Sequence, residues 1–169
     1  MPKVSVLFVC LGNICRSPTA HAVFQTLVDR HGLSSDIYVD GAGTGDWHLG
    51  HAPDTRSSAE AAKRGYDMSL LRSRLVTVED FYQFDYIIAM DKSNLSNLQA
   101  ICPVDFSGQL RLLMDFSTDP LFSSISEVPD PYYGGHDGFP LVLDMIEDAA
   151  ASFLRYVMAS EPMSLIQEQ

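Results

Sequence analysis

Val4-Ser5-Val6-Leu7-Phe8-Val9-Cys10-Leu11-Gly12-Asn13-Ile14-Cys15-Arg16-Ser17-Pro18 is the stretch on which the fold turns. Its first six residues form a β-branched-rich apolar run, the pattern of a parallel strand buried on both faces. Ser17 has the residue type of a helix N-cap and Pro18 that of a first helical position. Ala20, Val23, Phe24, Leu27 and Val28 then recur at helical spacing, and Gly32 is a fitting stop. A strand that passes through a short polar loop into a helix gathers backbone N–H groups and the helix dipole in one place. That is an anion site.

Beyond this unit the same alternation repeats. Residues 37–40 read as a second short strand, followed by a Gly-rich loop over 41–50 and a helix over 54–64 that stops at Gly65. Thr77-Val78-Glu79-Asp80 has the spacing of a capping box for a short helix. Residues 86–90 read as the third strand, 93–102 as a helix and 110–114 as the fourth strand. A long loop rich in Ser, Asp and Pro covers 115–137. Phe139, Val142, Leu143, Ile146, Ala150, Phe153, Leu154 and Val157 then make one apolar face of a long terminal helix. The pattern predicts a three-layer, doubly wound α/β fold with a four-stranded parallel sheet flanked by helices. Ligands of such sheets bind beyond the carboxyl ends of the strands.

The chain has 169 residues with no repeat or linker, which predicts one domain over 1–169. A net charge of −11 argues against nucleic acid as a partner, because phosphate neutralisation needs a basic face. An anionic ligand must therefore be met by a local device. No apolar run is long enough to span a bilayer, and no secretory signal is recognised, so the expected address is the cytoplasm, away from the membrane. Three cysteines, at 10, 15 and 102, fit reduced thiols better than a disulfide framework.

The loop after the first strand supplies the chemistry. Gly12 and Asn13 tolerate the dihedrals that aim successive N–H groups inward. Arg16 offers a planar fork for two phosphate oxygens. Cys10 stands at the strand end beside them, and a thiol at a helix N-terminus near arginine is acidified, to roughly 3.5–7.5 in known cases. The residues alone thus give an activated cysteine in a phosphate cradle. Asp130, stiffened between Pro129 and Pro131 in a loop that can lean over the same sheet edge, is the candidate acid for a leaving oxygen.

The Cys10-x5-Arg16-Ser17-Pro18 loop near the start, with Asp130-Pro131-Tyr132-Tyr133-Gly134 near the end, resembles the low-molecular-weight protein tyrosine phosphatases of bacterial type. The resemblance includes residues 39–44 and 85–91 and covers nearly the whole chain. It implies hydrolysis of a phosphotyrosine-containing protein through a phosphocysteine, releasing inorganic phosphate, with no cofactor and no metal. Cys10 would be the nucleophile, Arg16 the phosphate clamp and Asp130 the general acid and then base. Leu11, Gly12, Asn13, Ile14, Cys15, Arg16 and Ser17 would bind the phosphate, with Ser17 bonded to the Cys10 sulfur and Asn13 holding the loop in shape. Trp47, Tyr132 and Tyr133 would wall an aromatic substrate cleft. Cys15 would pair reversibly with Cys10 under oxidation. The expected assembly is a monomer or weak dimer.

Two positions depart from the family. Ser is common at Gly41 and His at Leu70, and both normally brace Asn13, so the loop here is either looser or braced by something else. Among other functions, arsenate reduction needs two further cysteines in relay, and only Cys102 is available. Phosphoarginine hydrolysis goes with Thr at Ile14, so Ile14 favours phosphotyrosine. An idle phosphoprotein-binding module has no use for a nucleophile and an acid together. His48 and His51 lack companions for a metal site and read as structural or rim residues, while His21, His31 and His136 read as solvated. Asp144, Glu147 and Asp148 read as the wet face of the last helix.

Overall fold

The computed structural model describes residues 2–132 and 138–161. Its strands are β1 (Val4–Cys10), β2 (Ile37–Gly43), β3 (Tyr86–Ala89) and β4 (Gln109–Leu112), and its helices α1 (Arg16–Arg30), α2 (Thr55–Lys63), α3 (Asp80–Gln83), α4 (Lys92–Ile101) and α5 (Gly138–Ser160). All strand pairs are parallel, in the order β2–β1–β3–β4.

Alternation along β1 builds two cores. Val4, Val6, Phe8 and Cys10 face one layer, where residues of α1 and α5 pack on them. Leu7 and Val9 face the other, against Phe81 of α3 and Leu98 of α4. Burial on both faces is why the strand reads as an unbroken apolar run. On the first face Phe8, Phe24 and Phe153 meet with ring centroids 5.2–6.1 Å apart, and Phe116 joins Phe153 at 4.9 Å. Every residue assigned to the apolar stripe of the terminal helix is buried.

The connection β1–α1–β2 winds to one side of the sheet and β3–α4–β4 to the other. The chain therefore reverses direction between β1 and β3, and the carboxyl ends of these two strands flank the crevice where ligands of such folds bind. Cys10 ends β1, and Asp91 follows β3.

Several local expectations change. Ser17 is not the N-cap of α1: the helix begins at Arg16 with Cys15 as cap, and Pro18 is its third residue. The Ser17 hydroxyl is engaged instead with Asn13 and Cys10. β2 runs on through Gly41 to Gly43, because Gly43 still pairs with Cys10. Only half of the capping box at Thr77 forms. The Thr77 N–H donates to Asp80 Oδ2 at 2.8 Å, but Arg74 occupies both carboxylate oxygens and the single turn of α3 starts after Glu79. The fourth strand stops at Leu112, and Leu113–Phe116 tightens into a 3-10 turn. The acidic run of α5 is not merely wet: Asp144 and Glu147 both bind Arg64, and Asp148 accepts the Ser117 hydroxyl at 2.6 Å. No helix among the described residues is long and apolar enough to cross a membrane.

Candidate active site

The loop over 11–16 is held from outside by its carbonyls. Thr44 N–H donates to Cys10 O at 2.9 Å, Gly45 N–H to Leu11 O at 2.8 Å, Ser73 Oγ to Gly12 O at 2.8 Å and Asp54 N–H to Ile14 O at 2.8 Å. In a planar trans peptide the next N–H points opposite to the carbonyl. Outward carbonyls at 10, 11, 12 and 14 therefore turn the amides of Leu11, Gly12, Asn13 and Cys15 inward. One of them shows the focus directly: Asn13 N–H lies 3.3 Å from Cys10 Sγ. The inversion needs a left-handed residue, and Asn13 supplies it at φ 55°, the one non-Gly residue with positive φ among those described. Gly43 is required beside the loop, since a Cβ there would lie 2.8 Å from Leu11 O.

The Ser17 hydroxyl lies 3.0 Å from Cys10 Sγ and 2.7 Å from Asn13 Oδ1, linking the Cys10 sulfur and the loop. Arg16 is 2% exposed and lies across the crevice. Its Nη1 donates to Asp91 Oδ2 at 2.6 Å and to Val128 O at 3.0 Å, and its Nη2 lies 3.5 Å from Asp130 Oδ2. Burial works against the guanidinium charge, but Cys10 and the hydrogen-bonded Asp91 outweigh it, so Arg16 holds its proton more tightly than usual. Both hydrogens of Nη1 are used. The Nε–Nη2 edge is the side left to meet two oxygens of a phosphate.

Asp130 reaches the crevice because its segment is tied to the sheet: Val128 N–H donates to Met90 O at 2.8 Å, just past β3. Its Oδ1 accepts Tyr132 N–H at 3.0 Å. Cys10, Leu11, Gly12, Ile14, Cys15, Arg16, Trp47, His48, Asp130 and Tyr132 line one cleft of about 120 Å³. Trp47 is 68% exposed and its indole lies against Gly45, where a Cβ would come within 2.1 Å of the ring. Tyr133 lies outside the described residues, as does His136.

His48 belongs to the cleft wall, with its ring 5.7 Å from that of Tyr132 and 5.8 Å from that of His51. Among the described residues no three His, Cys, Asp or Glu side chains come together as a metal site. His21 is not solvated. It is half-buried near Gly41, and burial pushes its imidazole pKa down against the opposing pull of Asp40. Cys15 is buried, and desolvation pushes its thiol up to about 12, with the Ser57 hydrogen bond opposing and Asp54 adding to the rise. It is a protonated neighbour at neutral pH.

Sequence reading missed Asp91, Ser73 and Asp54. Asp91 had a usable signal: it ends an apolar run and begins Asp91-Lys92-Ser93-Asn94, a capping box in which its side chain accepts Asn94 N–H at 2.7 Å. Ser73 had none, because its role depends on a distant segment crossing the loop.

Residues 5–163 match the family model described as low molecular weight phosphotyrosine protein phosphatase. A low molecular weight phosphotyrosine protein phosphatase of Schizosaccharomyces pombe is 43% identical over 156 residues, spanning 92% of this chain and 97% of the relative. A protein tyrosine phosphatase structure from Entamoeba histolytica superposes with a TM-score of 0.87 at 40% identity, covering 93% of this chain and 98% of that one. A Drosophila arginine phosphatase structure superposes with a TM-score of 0.83 at 34% identity, covering 90% and 97%.

Proposed function

Because the chain belongs to the low molecular weight phosphotyrosine protein phosphatase family, we propose that it hydrolyses phosphotyrosine in proteins, and small aryl phosphates, through a phosphocysteine on Cys10 without a metal. The observation that carries the reading is the convergence on one cleft of Cys10 Sγ, the inward amides, the Arg16 guanidinium and the Asp130 carboxyl.

In the first step the Cys10 sulfur attacks phosphorus. The S–P bond forms as the P–O bond to the phenol breaks, and Asp130 gives its proton to the leaving oxygen, a contribution of roughly 10²–10⁴ in rate. The amides of the loop and the Nε–Nη2 edge of Arg16 meet the charge on the equatorial oxygens, a fixed electrostatic cradle in place of a metal. In the second step water attacks the phosphocysteine, Asp130 takes up its proton, inorganic phosphate forms, and the departing sulfur is met by the Ser17 hydroxyl. Trp47 and Tyr132 wall the mouth and suit a flat aromatic ring; Tyr133 is assigned to the same wall by the family resemblance alone.

Relatedness to an arginine phosphatase makes phosphoarginine the second reading. Ile14 lines the cleft and gives its floor an apolar group where that chemistry goes with Thr, so phosphotyrosine is favoured. A phosphotyrosine peptide is expected to exceed the matched phosphoarginine peptide in kcat/KM by about 10–200-fold, the range an apolar pocket achieves. The reverse order would assign the protein to phosphoarginine.

One domain over 1–169 working as a monomer or weak dimer completes the reading, with reduced cysteines suiting the cytoplasm. Cys15 is proposed to trap oxidised Cys10 as a disulfide. Hydrolysis of p-nitrophenyl phosphate in EDTA tests the function: wild type should turn over, Cys10→Ser should not. A folded wild type without turnover would leave a binding module.

A further inference from the structure

The first turn of α2 touches both halves of the cleft. On one side, the Asp54 N–H donates to Ile14 O in the phosphate loop at 2.8 Å. On the other, Arg56 Nη2 donates to Tyr132 O at 3.2 Å, in the segment that carries Asp130. Asp54 joins the two. Its Oδ1 accepts the Arg56 N–H at 2.8 Å, as N-cap of the helix, and Arg56 Nε at 3.1 Å, while its Oδ2 accepts Nη2 at 2.9 Å. The guanidinium is therefore held edge-on by one carboxylate and can use its remaining Nη2 hydrogen only in the direction of Tyr132.

Two aromatic rings also lie close to it. The Phe139 ring lies 4.7 Å from the guanidinium carbon and the Tyr132 ring 5.5 Å. Phe139 is itself buried in a small apolar cluster with Ile14 and Cys15, against which Tyr132 packs. Tyr132 then passes the constraint on, because its N–H donates to Asp130 Oδ1 at 3.0 Å. A continuous path runs from Ile14 through Asp54, Arg56 and Tyr132 to Asp130, separate from the direct contact of Arg16 with Asp130.

We propose that Arg56 is a positioning residue for the general acid: it fixes the segment of Asp130 against the phosphate loop so that the carboxyl meets the leaving oxygen. The proposal rests on the assignment of Asp130 as the acid. Only a planar, forked cation can bond Asp54 side-on, reach the Tyr132 carbonyl and pack near two rings at once, so lysine is not an equivalent. A purely structural Arg56 would affect all substrates alike. A positioning Arg56 affects most the substrates that need the proton.

The test is a series of aryl phosphates from 2,4-dinitrophenyl, whose leaving group needs no acid, to unsubstituted phenyl, whose leaving group does. For each, kcat/KM reports the first chemical step. Arg56→Ala is expected to slow phenyl phosphate about tenfold more than dinitrophenyl phosphate, a fraction of the acid's full effect. Competitive inhibition by inorganic phosphate should stay as in wild type. Arg56→Lys should fall between, and Phe139→Leu should shift the series in the same sense by less, which keeps the test usable if the alanine variant folds poorly. Asp130→Asn, run alongside, should steepen the series most. If Asp130→Asn steepens it and the Arg56 and Phe139 variants slow every substrate equally, the positioning role is wrong. If Asp130→Asn leaves the series flat, the acid assignment fails and the proposal with it.

Discussion

At the residue scale, the departure at Gly41 has a definite geometry. A Cβ there would sit 3.1 Å from Asn13 Oδ1 and 3.8 Å from His21 Nδ1, while Leu70, 88% exposed, has no polar group with which to brace Asn13. The Asn13 carboxamide oxygen is held by Ser17 alone among the hydrogen bonds described. Gly41→Ser adds a hydroxyl next to that carboxamide, and one further hydrogen bond of about 1 kcal/mol corresponds to roughly a fivefold rise in kcat. Gly41→Ala adds only the close Cβ and should lower kcat; equal rates for the two variants would deny Asn13 a need for bracing. Cys15 gives a second residue-level outcome. With its thiol held at about 12, it stays protonated at neutral pH, so iodoacetamide at pH 7 should label Cys10 and leave Cys15 unlabelled in the native protein. The same raised value makes Cys15 a slow partner for oxidised Cys10. Labelling of both at similar rates would contradict this. The residue types of Cys10, Asn13, Arg16 and Asp130 were legible because their chemistry is local to two short motifs. The burial of His21 was not, since it arises from a strand that sequence distance hides.

At the element scale, the start of α1 shows why a cap can be misread. Ser17 has the right side chain for an N-cap, but its hydroxyl serves Cys10 and Asn13, and the helix starts earlier to point its first amides at the loop. Function displaced local propensity by two residues. The boundaries of α2 and α5 were legible, because Asp54, Gly65 and an unbroken apolar stripe act through short-range physics. Asp91 is the joint between α4 and the site, capping the helix and pairing with buried Arg16 at 2.6 Å. Asp91→Ala should cost about 3 kcal/mol in denaturant unfolding, because it leaves a buried charge without its partner. Asp91→Asn retains a good capping side chain and should recover about 1 kcal/mol of that. Equal losses for the two would mean that α4 does not depend on this cap.

At the scale of the molecule, parallel topology places the ends of β1 and β3 side by side, and Cys10, Arg16 and Asp130 meet there from positions over a hundred residues apart in sequence. The alternation of strand and helix made that edge foreseeable; the tether of Val128 to Met90, which brings the Asp130 segment over it, was not, since a backbone hydrogen bond leaves no mark on residue types. Stability should fall in alkali. Cys15 is raised from 9.0, and Tyr66 and Tyr86 from 10.0, each to about 12, chiefly by burial. The folded state thus holds these protons more tightly than the unfolded one, so their contribution is complete below pH 9 and is lost as pH rises toward 12. Thermal unfolding should show Tm decreasing across that window, and a constant Tm would refute the buried-proton origin. The central claim, that Cys10 carries the phosphoryl group between two steps, has a direct measurement. Asp130→Asn is mixed with p-nitrophenyl phosphate, quenched in acid within the first turnover and digested for mass spectrometry. The mass of one phosphoryl group should appear on the peptide bearing Cys10 and vanish in the Cys10→Ser background; turnover without that adduct, or an adduct on another residue, would contradict the mechanism.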